Sequence, residues 1–413
     1  MIELGLARIS RLLRDTPIPW SALHVAGTNG KGSVCAYASA MLHASGVKCG
    51  RFTSPHLIDR WDCITIQERI VSPHLFRSVE ATVQAYNNTA SIGASEFEIL
   101  TATAFEIFRR LDVEIGVVEV GLGGSQDATN VLQSPAATVI TKIGYDHQSY
   151  LGNSIEEIAL HKAGIIKPHT PCFVDGSNEP SVLEVLRRQA KDRLASFVPV
   201  APGHPQGALK SISLKLDGAP HQVMNLQLAL ESVQAGLRTL GKEVPLHQLL
   251  KAAEETSWPG RLEFISLKTI LQSERKVLLD GAHNAQAAEA LGSFVDRKVR
   301  RGSSSVLWLV GISHDKDAYQ LLAKLLRPGD SLVATDFGMV EGMPWVRPMD
   351  PHTIVEAAQH VCSLSQALAC GGNVQKSLLE AARSARANPI VVAGSLYLVS
   401  EILRLKRDGL GTV

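Results

Sequence analysis

The stretch with most chemical capacity is His24-Val25-Ala26-Gly27-Thr28-Asn29-Gly30-Lys31-Gly32-Ser33-Val34, where an apolar run enters a glycine-rich turn that opens a helical pattern. Such a turn suits phosphate. Glycines let backbone N–H groups converge on phosphate oxygens, a helix start adds positive potential, and the Lys31 ammonium can reach terminal phosphates. The usual G-x-x-x-x-G-K-[ST] spacing is not kept, because Val25 stands where its first glycine belongs and Gly32 follows the lysine. Even so, Gly27, Gly30 and Gly32 around one lysine exceed what a plain turn needs, so Gly27, Thr28, Asn29, Gly30, Lys31, Gly32 and Ser33 are candidate nucleotide contacts.

Several charged groups could serve the same chemistry. Glu119 ends the run Ile115 to Val118 and precedes Gly121, Gly123 and Gly124, at the carboxyl end of a predicted strand, where α/β sheets bind ligands. A dinucleotide fingerprint would need glycine at Gln126, so that reading fails. Nucleotide chemistry calls for Mg²⁺, which takes one or two hard oxygen ligands beside phosphates, and Glu119 is the first candidate. An acid at a strand end could equally be a solvated surface group. His147, after Ile143-Gly-Tyr-Asp146, could face the same crevice or be an ordinary loop residue. Lys162, in a helical pattern with Glu156 and Glu157 upstream, reads alone as a surface lysine. Arg261 is a permanent cation able to neutralise a transferring phosphoryl group, or a linker arginine. Asp280 closes the run Val277 to Leu279 and precedes Gly281-Ala-His283-Asn284 at a helix start, again a crevice position.

These residues need a scaffold of alternating elements. Leu23 to Ala26, Ile115 to Val120 and Thr138 to Ile143 read as strands; Ser33 to Ala44, Phe97 to Leu111 and Ile155 to Ile166 read as helices, which argues for a parallel α/β sheet. Val198 to Pro220, rich in proline and glycine, reads as loops and short edge strands before a helix from about His221 to Leu240. Trp258-Pro259-Gly260-Arg261 is a breaker, after which Val277 to Asp280, Val306 to Val310, Ser331 to Thr335 and Ile390 to Ala393 begin a second alternation. The expected domains are 1–260 and a smaller, Rossmann-like α/β domain over 261–413.

The 413 residues carry 41 Lys+Arg against 40 Asp+Glu, so no global field draws nucleic acid or an anionic membrane, and any anion site must be local. Six scattered cysteines without zinc-type spacing read as reduced thiols. Met1 to Arg14 reads as an amphipathic first helix and lacks the apolar core of a signal peptide, and no run is long enough to span a membrane. A cytoplasmic protein is expected, with a mitochondrial pool left open by the N-terminal arginines.

The sequence Gly27-Thr-Asn-Gly-Lys-Gly-Ser33 resembles the variant P-loop of the Mur ligase superfamily, within it the dihydrofolate synthase and folylpolyglutamate synthase branch. Phe52-Thr-Ser-Pro-His-Leu57, Glu119-Val-Gly-Leu-Gly-Gly124, Asp127-Ala-Thr-Asn130, Asp146-His147, His161-Lys-Ala-Gly-Ile165, Pro259-Gly-Arg261 and Asp280-Gly-Ala-His-Asn284 are similar to that family's motifs, in the same order. The resemblance implies a P-loop ATPase domain with a parallel sheet, followed by a glutamate-ligase domain. It implies Ser54, Glu119 and His147 as magnesium ligands for a pair of sites, and a carbamylated Lys162, which must then be desolvated with a depressed pKa. It further implies ATP contacts from Arg261, Asp280 and His283, with Gln222 and Asn225 on the adenine side. Lys31, His147, Lys162 and Arg261 are the implied catalytic set.

A ligase of this type would phosphorylate a substrate carboxylate, after which the amine of L-glutamate attacks and phosphate leaves. The carboxylate would belong to 7,8-dihydropteroate or to a folate glutamate tail. Phe97 and Glu98, in Ser95-Glu-Phe-Glu98, together with Asp127, resemble the pterin-side contacts, although Phe97 could equally be core. Gln148 in place of the usual threonine, the compact length and Gly342-Met-Pro-Trp345 look more like the monofunctional dihydrofolate synthases. Ser125-Gln126 departs from the arginine and leucine of many bacterial relatives. A cell-wall ligase is disfavoured by Phe97-Glu98 and by the absence of a preceding UDP-binding domain, and a non-catalytic relative by the intact Lys31, Glu119, His147, Lys162 and Asp280. A monomer without nucleic-acid or membrane partners is expected.

Overall fold

Short runs of Val, Ile and Leu, too brief for buried helices, become strands covered on both faces. A computed structural model describes residues 4–14, 16–201, 219–271, 274–300 and 305–409. These form two compact units that divide between Ser257 and Trp258, and Leu57–Arg60 belongs with the second unit. There the Ile58 carbonyl accepts from Arg404 Nη2 (2.6 Å) and Asp59 pairs with Arg407 (2.6 Å). No local pattern in the chain marks this excursion.

In the first unit, β1 (Ser21–Ala26), β2 (Cys49–Phe52), β3 (Ile64–Ile66), β4 (Arg69–Ile70), β5 (Ile115–Glu119), β6 (Ala137–Ile140), β7 (Cys172–Asp175) and β8 (Phe197–Val200) form a sheet of order β4-β3-β2-β5-β1-β6-β7-β8. The core strands are parallel, but β3 pairs antiparallel with both β2 and β4. The sheet is therefore mixed rather than wholly parallel: the turn at Gln67–Glu68, both at positive φ, returns the chain at once and leaves no room for a crossover. The predicted edge strand is β8; the rest of the proline-rich stretch, 202–218, lies outside the described residues, as do Met1 to Glu3 of the predicted first helix, whose helical part is Ala7–Leu12.

Side chains alternate across β1. Leu23 and Val25 join the core under the helices Lys31–Ala44, Pro220–Thr239 and Leu246–Glu255, whereas Ala22 faces the core built with Glu96–Arg110 and Pro73–Thr89. After β1 the chain leaves for β2, and β6 later returns on β1's other side, so β1 flanks a topological switch point. Loops following β1, β5 and β6 thereby converge at one sheet edge.

In the second unit, β9 (Glu263–Ser266), β10 (Lys276–Leu279), β11 (Leu307–Val310), β12 (Ser331–Thr335), β13 (Gln366–Cys370) and β14 (Ile390–Ala393) adopt the order β13-β12-β11-β14-β10-β9, parallel except for β9. Fully buried Asp330 ties its strand starts together, accepting a fork from Arg300 (2.7 and 2.6 Å), the Val306 amide (2.9 Å) and Trp308 Nε1 (3.0 Å). Among the described residues no helix is long and apolar enough to cross a membrane.

Candidate functional site

The glycine-rich turn leaves β1 with Gly27 at φ +150°, where an added Cβ would lie 1.8 Å from Thr141 Oγ1, and enters the helix Lys31–Ala44 with Gly30 at φ +96°, pressed against Asn225 Oδ1. Both approaches require glycine. The amides of Thr28 and Asn29 donate to the Lys142 carbonyl (2.9 and 3.1 Å), and the Thr28 hydroxyl exchanges hydrogen bonds with the Gly144 carbonyl and amide (3.0 and 3.1 Å). Thr28 and Asn29 thus latch the turn to the β6 loop through groups expected to meet phosphate. The helix closes its first bond from the Val34 amide to the Gly30 carbonyl (3.0 Å), so the amides of Lys31, Gly32 and Ser33 have no acceptor within the helix. Amides left in this way at a helix start are the kind of donors that an anion can take up.

Lys31 Nζ stands 3.8 Å from Glu119 Oε1 and donates to the Thr28 carbonyl (3.3 Å), while Glu119 Oε2 accepts from the Ser54 amide (3.3 Å). Register explains the meeting, since Val25 lies opposite Glu119. Glu119 is only 5% exposed; a carboxylate so placed, beside a serine and a phosphate-type turn, is a hard-oxygen donor set that fits Mg²⁺. His147 is exposed at the far end of the β6 loop, in a left-handed conformation (φ +54°), with Nε2 3.9 Å from Asp146 Oδ2. Among the described residues no three His, Cys, Asp or Glu side chains form a metal-holding group; the expected set contains only two, with Ser54 as its third member.

Lys162 is not on the surface. It is 4% exposed and donates from Nζ to the Gly27 carbonyl (2.8 Å). The capping box of Ser154 and Glu157 starts its helix and aims Lys162 inward. Burial above all, then repulsion from Lys31, lowers its pKa to about 7; attraction from Asp146 and Asp127 opposes this without prevailing. The lysine is therefore desolvated and readily neutral.

On the expected pterin side, the Phe97 ring lies over Gly121 and stacks with Phe52 (centroids 6.2 Å, 22°). Glu98 Oε2 accepts from the Ser95 amide (2.7 Å) in a capping box and from Arg8 Nε (2.9 Å), while its buried Oε1 has no hydrogen-bond partner. Asp127 is buried and committed to its own loop: it accepts from the Leu122 amide (2.8 Å), the Thr129 amide (3.0 Å) and the Thr129 hydroxyl (2.6 Å). Burial raises its pKa against those bonds. Asn225 Nδ2 donates to Gln222 Oε1 (3.4 Å), so this pair does meet, one turn apart on the helix beside Gly30.

In the second unit Asp280, 8% exposed, accepts from the Leu262 and Ala282 amides (both 2.9 Å). Burial raises its pKa, and the nearby Arg261 guanidinium works against that rise. Arg261 reaches the face of Gly281, whose carbonyl lies 3.1 Å from His283 Nδ1. The three candidates thus share one strand-end turn.

Sequence reasoning missed the residues that shape the turn. Asn178 accepts from the Ile143 amide (2.8 Å) and donates to the Thr141 and Asp175 carbonyls (3.3 and 2.9 Å), and His24 meets Thr129. Only a histidine inside an otherwise apolar strand could have signalled the second.

A model of the Mur ligase middle domain matches residues 25–242, and one of the dihydrofolate synthetase C-terminal domain matches 263–405. The chain is 36% identical to a "Probable dihydrofolate synthetase" of Schizosaccharomyces pombe, covering 98% of this chain and 99% of that protein. It is 35% identical to the dihydrofolate synthetase of Saccharomyces cerevisiae, covering 99% of each. Among solved structures, Mycobacterium tuberculosis folylpolyglutamate synthase complexed with ADP and AMPPCP superposes with a TM-score of 0.78 at 28% identity, over 97% of this chain and 95% of that one. With both halves matched and relatives aligned end to end, the chain belongs to the dihydrofolate synthase and folylpolyglutamate synthase family of the Mur ligases.

Proposed function

We propose that this protein is an ATP-dependent ligase that joins L-glutamate to 7,8-dihydropteroate to give 7,8-dihydrofolate. The observation that carries the reading is the end-to-end similarity to two dihydrofolate synthetases, over a chain whose β1 turn is built for phosphate. The domain running to about 260 would bind ATP and the pterin, and that from 261 onward would serve ligation with glutamate.

The pteroate carboxylate oxygen attacks the γ-phosphorus, the bond to the ADP oxygen breaks, and an acyl phosphate results. The glutamate amine then attacks the acyl carbon, phosphate leaves and the nitrogen loses a proton. The amides of Lys31, Gly32 and Ser33 would hold phosphate oxygens, with the Lys31 ammonium beside them. Gln222 and Asn225 would bind the adenine side, and Arg261, Asp280 and His283 would contact ATP from the second unit. Ser54, Glu119 and His147 would hold Mg²⁺, which supplies charge neutralisation at the phosphoryl oxygens. Phe97 would support the pterin face, with Glu98 beside it at the helix start, and Asp127 would shape the loop beneath. Lys162 has the neutral amine that capture of CO₂ as a carbamate requires.

Purified protein incubated with MgATP and glutamate, with dihydropteroate in one sample and tetrahydrofolate in another, tests this reading. ADP release with dihydropteroate alone, and a product heavier by one glutamyl residue, is the expected result. Turnover of tetrahydrofolate would move the assignment to a folylpolyglutamate synthase or a bifunctional enzyme, as the solved relative suggests.

A further inference from the structure

The turn after Glu119 is held from beneath by a buried chain of hydrogen bonds that none of the assigned roles explains. His24, fully buried in β1, meets Thr129 Oγ1 through Nε2 at 2.8 Å. Thr129 Oγ1 in turn donates to Asp127 Oδ1 (2.6 Å), and Asp127 Oδ2 accepts from the Leu122 amide (2.8 Å).

The direction of every bond follows from donor chemistry. An ionised carboxylate only accepts, so the single hydroxyl proton of Thr129 points to Asp127. Thr129 Oγ1 must then accept from His24, which places the imidazole proton on Nε2. Nδ1 is left as a buried lone pair without a hydrogen-bond partner. Burial also drives the imidazole pKa down to about 3, so His24 stays neutral and this directed chain does not switch near neutral pH. Strand β1 is thereby joined to the loop that follows β5: His24 lies beside Val118 in the β1–β5 register, Glu119 follows, and the Leu122 amide closes the loop.

We propose that His24 and Thr129 are positioning residues for the ligation site: they orient Asp127 so that it pins the Leu122 amide, and thereby set the turn that follows the Glu119 carboxylate. The consequence for metal rests on the assignment of Glu119 above; the consequence for the loop does not.

The test uses the full chain with Thr129→Val, which keeps shape and removes the hydroxyl, and Thr129→Ser, which restores it. Amide exchange in the protein without ligands is read at Leu122 and, as a control, in the helix Lys31–Ala44. Mn²⁺ binding in the presence of a non-hydrolysable ATP analogue is read by electron paramagnetic resonance. Thr129→Val is expected to speed Leu122 exchange about tenfold while the helix is unchanged, and to weaken Mn²⁺ binding roughly tenfold; Thr129→Ser should restore both. Unchanged exchange at Leu122, or an equal rise in the helix, overturns the proposal, because a merely structural threonine would loosen both regions together. Loosened Leu122 with unchanged Mn²⁺ binding upholds the hydrogen-bond chain and removes Glu119 from the metal set. Should Thr129→Val fail to fold, His24→Phe breaks the chain from its other end, and normal Leu122 exchange there overturns it equally.

Discussion

Lys162→Met should change the stability of the first unit with a pH dependence that the burial of Lys162 dictates. A fall in pKa from 10.5 to about 7 corresponds to about 5 kcal/mol against the ammonium in the folded state. Between pH 7 and 10.5 the unfolded chain binds this proton and the folded chain does not, so stability rises with pH by up to about 1.4 kcal/mol per pH unit and is flat below pH 7. Methionine fills a similar volume without the charge, but leaves the Gly27 carbonyl without its donor, at a cost of about 1–3 kcal/mol. At pH 6 the variant should therefore be more stable than its parent by roughly 2–4 kcal/mol, the advantage should shrink above pH 7, and near pH 10 the parent should lead. The assay is urea unfolding in buffers freed of CO₂, so that the amine stays unmodified. Amide protection in the helix Lys31–Ala44, compared between proteins at each pH, reports the first unit by itself. A stability difference that is the same at pH 6 and pH 9 would refute the reasoning, since the folded and unfolded pKa values would then have to coincide.

Lys31→Ala should reduce ligase turnover far more than tenfold, since tenfold is only about 1.4 kcal/mol and a cation at the phosphates contributes several times that; a steady-state ADP-release assay reads it, and near-normal turnover would remove Lys31 from the chemistry. Glu119→Gln should raise the Mg²⁺ concentration needed for half-maximal activity by at least about tenfold, and an unchanged magnesium titration would mean another group holds the ion. Asp330→Ala, which leaves the buried Val306 amide and Trp308 indole without their acceptor while half-buried Arg300 keeps Asp296, should destabilise the second unit by about 3–5 kcal/mol. Calorimetry should then show that unit's transition about 10 °C lower, at roughly 2–4 °C per kcal/mol.

Much was legible along the chain because its signals are local. The strands read from Val- and Ile-rich runs occur within a residue or two of their expected places, except that the run Thr138 to Ile143 leaves the sheet at Ile140, and the helices begin within about two residues of Ser33, Phe97 and His221. The glycine-rich turn could be read as a phosphate loop because Gly27 and Gly30 adopt conformations that glycine favours and sit where a side chain would collide. Less legible were the partners of each polar group. Asp127 looked open to substrate, yet its carboxylate is taken up by Leu122 and Thr129. Thr28 looked like a phosphate contact, yet its amide and hydroxyl are held by the β6 loop.

By itself, then, the sequence determined the α/β class, the place of the glycine-rich turn after β1 and the acid at the end of β5, since backbone conformation and strand periodicity are written in neighbouring residues. Only the tertiary structure decided that Lys162 is buried against Gly27, that Leu57–Arg60 leaves its own half for the second unit, and that His24 reaches Asp127 through Thr129. Desolvation and hydrogen-bond partnership depend on what residues distant in the chain bring alongside, and no local spacing encodes that.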